Sequence, residues 1–404
     1  MGHPADRLDD HVPSFAGSLR SARFPTHEQE WRTQAASAGY RLDDAIVQRA
    51  DAMLQGRGAS ILTRFDGDLS AVSAGLPDFA AGLMPVSPTA LEHYAGCPHA
   101  YFLERLLGVQ LVEQPEDVIT ISPADIGTLM HAAFDDLVRE CESNLPGYGQ
   151  PWTTPQRRRL AELAEAQATR LTVEGRTGHP RLWRQALARI QANLQAMLTD
   201  DDAWRREHRV AVIASELAFG MKGAPPVPIG LASGGTVLMR GSADKVDRDE
   251  HGRLYITDIK SGSARNFLGL GEDDPVLGGS KLQLPVYAHA ARQVYGATAE
   301  VEAAYWFVRR DKGRVLVPLT AAVETTYAAT IERLVTGIRD GLFPPRPPAE
   351  PDFMFVQCPY CNPDGVSHAE PRRRWERVKH DPRLRELVGL IEPITDPATP
   401  GGAP

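Results

Sequence analysis

Two neighbouring stretches decide the reading: Gly241-Ser-Ala-Asp-Lys-Val-Asp247 and Leu254-Tyr-Ile-Thr-Asp-Ile-Lys-Ser-Gly262. Both read as strands, the second rich in β-branched and aromatic residues, and each carries an acid where an apolar side chain would be the ordinary choice. Side chains alternate faces along a strand, so Asp258 and Lys260 point the same way and Ile259 points into the opposite layer. Between the runs, Asp249-Glu-His-Gly252 is turn chemistry, which predicts an antiparallel hairpin with Asp244 beside Asp258. Two carboxylates and one ammonium at a point are the minimum equipment for a divalent-metal phosphodiesterase. Carboxylate oxygens hold Mg²⁺ with several waters retained, and the metal lowers the pKa of one of them. Lys260 would position that water or offset charge on phosphorus.

Outward from the hairpin, strands are expected at 210–219, 237–246, 254–259, 301–308 and 314–317, with helices at 281–295 and 321–340. Upstream, Ser87-Pro88 opens a helix and 99–107 continues it. Ser122-Pro123 opens a longer one that carries His131 and ends near 143. Residues 156–173 and 181–198 read as amphipathic helices, and 60–83 as loop. The order suggests an α/β fold with a small mixed sheet. The expected division is an extension of unassigned role at 1–84, a principal domain at 85–365 with a helical insertion at about 155–200, and a tail at 366–404.

The 404 residues, 42% apolar and 24% charged, suffice for a sizeable buried core. A net charge of −8 argues against a purely electrostatic nucleic-acid binder, though not against a nuclease with a cationic channel. No apolar run reaches membrane-spanning length and the start lacks a signal-peptide core, so the expected compartment is the cytoplasm. Four cysteines, Cys97, Cys141, Cys358 and Cys361, are too few and scattered for a disulfide scaffold. No phosphate-binding Gly-x4-Gly-Lys-Ser/Thr loop is present, so no ATPase is visible.

Taken together, Gly241-x-x-Asp244, Asp258-x-Lys260, Gln283-Leu-Pro-Val-Tyr287, Gly127-Thr-Leu-Met-His131 and Cys97-Pro-His-Ala-Tyr-Phe-Leu103 resemble the PD-(D/E)XK nucleases of the RecB/AddB type. Five motifs in the family's order are far more specific than any one of them. The resemblance implies a restriction-endonuclease-like core flanked by helices. It assigns His131, Asp244, Asp258 and the backbone carbonyl of Ile259 to Mg²⁺ or Mn²⁺, and Lys260 to catalysis. Gln283 and Tyr287, one helical turn apart, would contact the DNA backbone or order the attacking water. It also implies a 4Fe–4S cluster held by Cys97, Cys358, Cys361 and a fourth cysteine. Ser367 stands at that fourth position with His368 beside it, so a three-cysteine, one-histidine site for zinc or iron–sulfur is the alternative.

The function expected is therefore a metal-dependent DNA exonuclease acting in repair and recombination, taking a single-stranded end beside a separate helicase subunit. Residues 1–84 are a candidate link to that helicase. The competing reading is a catalytically silent DNA-binding or scaffolding module of the same fold; an RNA substrate is also compatible. Further expectations are subordinate. Glu216 would support the metal cluster or be a solvated strand residue, Asp247 would lie at the surface or the site's rim, and Cys141 would be a core thiol. Arg157-Arg-Arg159, Arg309-Arg310 beside Trp306, and Arg372-Arg-Arg374 are candidate phosphate contacts.

Overall fold

The computed structural model of the protein describes residues 23–40, 43–110, 118–309, 313–348, 360 and 369–392. Helices α1 (Glu28–Ser37) and α2 (Ala45–Gly58) contribute no buried residue. Strand β1 (Ala81–Val86) follows, then helix α3 (Pro88–Gly96) and a single turn, α4 (Pro98–Tyr101), that passes into a π-turn at Phe102–Leu106. Ser87 caps α3 by accepting from the Ala90 amide at 3.2 Å, with Pro88 where a missing donor costs nothing. Three long helices form the inserted layer: α5 (Pro123–Glu140), α6 (Thr154–Val173) and α7 (Pro180–His208).

Strands β2 (Val210–Phe219), β3 (Val227–Gly230), β4 (Thr236–Met239), β5 (Gly241–Asp249) and β6 (Leu254–Lys260) come next. Helix α8 (Gln283–Tyr295), strands β7 (Val301–Phe307) and β8 (Gly313–Pro318) and helix α9 (Ala321–Arg339) complete the core. The single strand expected at 237–246 is thus two, which belong to different sheets. β4 joins a three-stranded sheet ordered β1-β4-β3, and β5 a five-stranded sheet ordered β2-β5-β6-β7-β8. The chain turns at Gly241, where a Cβ would come within 2.8 Å of the Phe219 ring, so only glycine passes there undisturbed.

β5 and β6 form the expected antiparallel hairpin. Its turn is tied by Asp249, whose Oδ1 accepts from the amides of His251 (2.9 Å) and Arg253 (2.8 Å). β6 and β7 are parallel, which requires a crossover, and α8 supplies it. Alternation then divides the sheet. Leu254 and Ile256 enter a core with α8 and α9, whereas Ile259 and Trp306 enter a second core under α5, α6 and α7.

The region expected as loop at 60–83 contributes the start of β1, which Gly82 and Pro85 disguise, since neither favours a strand. Residues near both ends of the chain pack together. The Leu62 amide donates to Asp381 at 2.9 Å, and Arg374 pairs with Asp66 at 2.7 Å. Helices α10 (Ala369–Val378) and α11 (Arg385–Ile391) place Trp375 and Leu387 in the first core. Among the described residues no helix is long and apolar enough to cross a membrane.

Candidate active site

The hairpin's register pairs Lys245 with Thr257, and one further step sets Asp244 opposite Asp258. At that step a side chain enters the pairing: the Ile259 amide donates to Asp244 Oδ2 at 2.6 Å. The other oxygen of Asp244 lies 2.9 Å from His131 Nδ1, on the middle of α5. Asp258 is buried, and its Oδ2 lies 2.6 Å from the Lys260 ammonium. Lys260 Nζ also donates to Gln283 Oε1 at 3.1 Å, in the first turn of α8. Pro285 sits in that same turn, where its missing amide is harmless. Tyr287 is buried one turn on, its ring edge-on to Phe219 with centroids 6.0 Å apart. His131, Asp244, Asp258, Lys260, Gln283 and Tyr287 are therefore brought to one end of the hairpin.

Burial pushes the Asp258 carboxyl up to about 6; Lys260 opposes the shift and Asp244 adds to it. Burial alone would lower the pKa of His131, but the hydrogen bond and charge of Asp244 raise it. Burial likewise works against the Lys260 ammonium, and Asp258 outweighs it, so the amine is held charged. Tyr287 is pushed well up by burial and by Asp258 and Asp244, so its hydroxyl keeps its proton.

These donors suit a hard divalent cation: two carboxylates and an imidazole, with a backbone carbonyl beside them. Asp258 Oδ2 is buried with no well-aligned hydrogen bond, only the close Lys260 ammonium. In the present arrangement the positive charges at the acids are the His131 side and the Lys260 ammonium. Among the described residues no three His, Cys, Asp or Glu side chains converge as a metal cluster. Gly127, one turn before His131, faces Ser261 Oγ, which a Cβ would meet at 3.5 Å, an ordinary contact. Packing within the protein therefore does not demand glycine there.

One site residue escaped the sequence: Glu92 of α3. Its Oε1 accepts from the Leu282 amide at 2.6 Å and its Oε2 from Gln283 Nε2 at 3.1 Å. It thereby caps α8 and fixes which end of the Gln283 amide meets Lys260. Burial raises its pKa. The available signal was an acid flanked by Leu91 and Tyr94 on a helix that is otherwise mostly interior.

The expectation for Asp247 is corrected. Asp247 is fully buried, 2.6 Å from Lys245 Nζ, because alternation sends it to the opposite face from Asp244. Lys245 also pairs with Asp201 at 2.7 Å, and Asp201 with Arg205 at 2.8 Å, both on α7. Arg314 lies against the same group, its guanidinium 4.1 Å from the centre of the Trp204 ring. Glu216 pairs with Arg139 and Lys222 and is not among the residues at the metal-type acids. Arg157 is bound to Asp202, Arg159 to Glu140 and Glu162, Arg374 to Asp66, and Arg372 and Arg373 to neighbouring glutamates. Trp306 is buried under Arg314. Cys97 lies at the joint of α3 and α4, and Cys141 is partly buried at the end of α5. Cys358, Cys361, Ser367, His368 and Arg310 lie outside the described residues.

A mixed sheet whose central hairpin gives two acids and an amine to one end, between a histidine-bearing helix and a crossover helix, defines a restriction-endonuclease-like α/β fold. Residues 85–365 match the model of the PD-(D/E)XK nuclease superfamily, and the chain belongs to that superfamily. It is similar to proteins named as one subunit of an ATP-dependent helicase/deoxyribonuclease. That of Symbiobacterium thermophilum is 33% identical over 210 residues, 50% of this chain and 17% of the relative. That of Moorella thermoacetica is 27% identical over 245 residues, 58% and 21%. That of Desulforudis audaxviator is 30% identical over 234 residues, 55% and 19%. The chain thus spans about a fifth of the length of the relatives it matches.

Proposed function

We propose that the protein is a metal-dependent deoxyribonuclease hydrolysing phosphodiester bonds, with exonuclease action on a single-stranded end. The convergence of Asp244, Asp258 and Lys260 from adjacent strands, with His131 hydrogen-bonded to Asp244, carries this reading. His131, Asp244, Asp258 and the Ile259 carbonyl would hold Mg²⁺ or Mn²⁺, which when bound supplies Lewis acidity at the phosphate and a more acidic water. Lys260, kept protonated by Asp258, acts through its charge: it hydrogen-bonds the incoming oxygen nucleophile and stabilises negative charge growing on the phosphoryl oxygens. Gln283 holds that ammonium in place, and Glu92 holds Gln283. Tyr287, whose hydroxyl keeps its proton at neutral pH, would hydrogen-bond a phosphate oxygen. The relatives' names support DNA as substrate and a helicase as partner; a role in double-strand-break repair within the cytoplasm is part of the same proposal. Cys97 with Cys358, Cys361 and His368 remains a proposed zinc or iron–sulfur site, which metal analysis after anaerobic purification tests.

End-labelled single- and double-stranded DNA, incubated with Mg²⁺ or Mn²⁺, tests the activity. Wild type should shorten the single strand and Asp258→Ala should leave it intact. One observation favours a second reading, a silent DNA-binding module: both acids already have partners in His131, the Ile259 amide and Lys260. Wild type that binds DNA without cutting it under either metal would select that reading.

A further inference from the structure

Most bases around the site are committed to carboxylates, and Lys281 is not. Among the described residues its ammonium has no acid within ion-pair distance. It lies 4.6 Å from the centre of the Phe267 ring, on the segment that joins β6 to α8. Phe267 packs edge-on against Tyr305, with centroids 4.7 Å apart, and Lys260 Nζ lies 4.9 Å from that same Tyr305 ring. The two ammonium groups thus flank one aromatic ladder, Lys260–Tyr305–Phe267–Lys281, and each also feels the charge of Glu92.

A partly buried cation without a counter-ion is costly, and an aromatic face offsets only part of that cost. The cost is recovered if an anion arrives. Beside a centre built for one phosphate of a polymer, the anion that comes with the substrate is a neighbouring phosphate. We infer that Lys281 binds a phosphodiester of the substrate strand next to the one cleaved, fixing the strand's register on the acids. The inference rests on the nuclease reading. The competing role, a clamp that only holds Phe267 down, requires no phosphate.

Fluorescently labelled oligo-dT, without divalent metal, separates these roles when titrated against wild type, Lys281→Gln and Lys281→Arg over a range of KCl. Each phosphate neutralised on a single strand contributes about −0.7 to the slope of log affinity against log salt. Lys281→Gln should weaken binding roughly tenfold at 0.1 M salt, the scale of one charge-assisted contact, and flatten the slope by about 0.7. Lys281→Arg should restore both. An unchanged slope in a folded Lys281→Gln protein would overturn the inference. Oligonucleotides with one neutral methylphosphonate linkage give a second test that needs no folded variant. One linkage should flatten the slope of wild type, and have no effect in Lys281→Gln where that protein folds. If no position flattens it, the inference fails. Wild type that neither binds nor cuts single-stranded DNA contradicts the nuclease reading itself. Wild type that does both while Lys281→Gln behaves identically contradicts only the role given to Lys281.

Discussion

Strand β5 carries two aspartates three residues apart that meet opposite surroundings. Asp247 points under α7 into a sealed group in which Asp201, Asp202 and Asp247 face Lys245, Arg205 and Arg314. Asp244 points the other way, where it and Asp258 share one lysine and a histidine at a partly open end of the hairpin. The formal charges in the first group balance, and burial is compensated at Asp201 but not at Asp247, whose carboxyl is still pushed up by burial against the pull of Lys245. Burial alone would raise the Asp201 carboxyl, but Lys245, Arg205 and Arg314 hold it well below its usual range. In the second group Asp258 is instead held up at about 6. On the proposed function, the same residue type on the same strand is structural in the sealed group and available to a cation at the open end of the hairpin.

Lys260→Ala attacks the open group. Cleavage should fall about a thousandfold, the scale of losing one group that stabilises transition-state charge, while affinity for single-stranded DNA changes little. Gel assays beside binding titrations would show it; retained cleavage would remove the distinction between the two clusters. Asp201→Ala attacks the sealed group and leaves it one acid short of its three bases. It should cost about 3–5 kcal/mol of stability in urea unfolding, with any surviving folded protein still able to cleave.

The two clusters should also separate with pH. Asp258 has a folded pKa above its unfolded value of 3.8, so its contribution to metal-free stability is full below that value and lost as pH rises through about 6. Asp201 has a depressed pKa, so its contribution is present above 3.8 and lost in strong acid. Affinity for Mn²⁺, which needs Asp258 and His131 deprotonated, should rise about tenfold per pH unit below pH 6 for each proton displaced. Calorimetry at several pH values measures this. The smallest effect belongs to Glu92→Gln, which keeps the shape but weakens the hold on Gln283. A fall of about tenfold in kcat with KM little changed is expected, the loss of one supporting hydrogen bond to a charged group.

What could be read in advance follows from the range of the interactions. Asp244, Asp258 and Lys260 were legible because a short turn and strict alternation fix their geometry within twenty residues. Asp247 was not: its partner Lys245 is on its own strand, but Asp201 and Arg205, which complete the buried group, sit on α7, some forty residues earlier. The end of α7 was hidden for the same reason. Its buried face there is Asp201 and Arg205, so the apolar periodicity stops ten residues before the helix does. Glu92 acts on Leu282 and Gln283, 190 positions away in sequence, and no local pattern announces such a contact. The basic runs show a charge without showing which acid lies beside it, and those pairings became visible only in the fold.

The most direct test of the contrast is the thermal stability of wild type and Asp258→Asn at pH 8, each with and without Mn²⁺. The metal should raise the melting temperature of wild type by several degrees. Asp258→Asn should start higher without metal, because a buried charge has been removed, and should not respond to Mn²⁺. If wild type is unmoved by Mn²⁺, or Asp258→Asn responds equally, Asp244 and Asp258 are not a cation site.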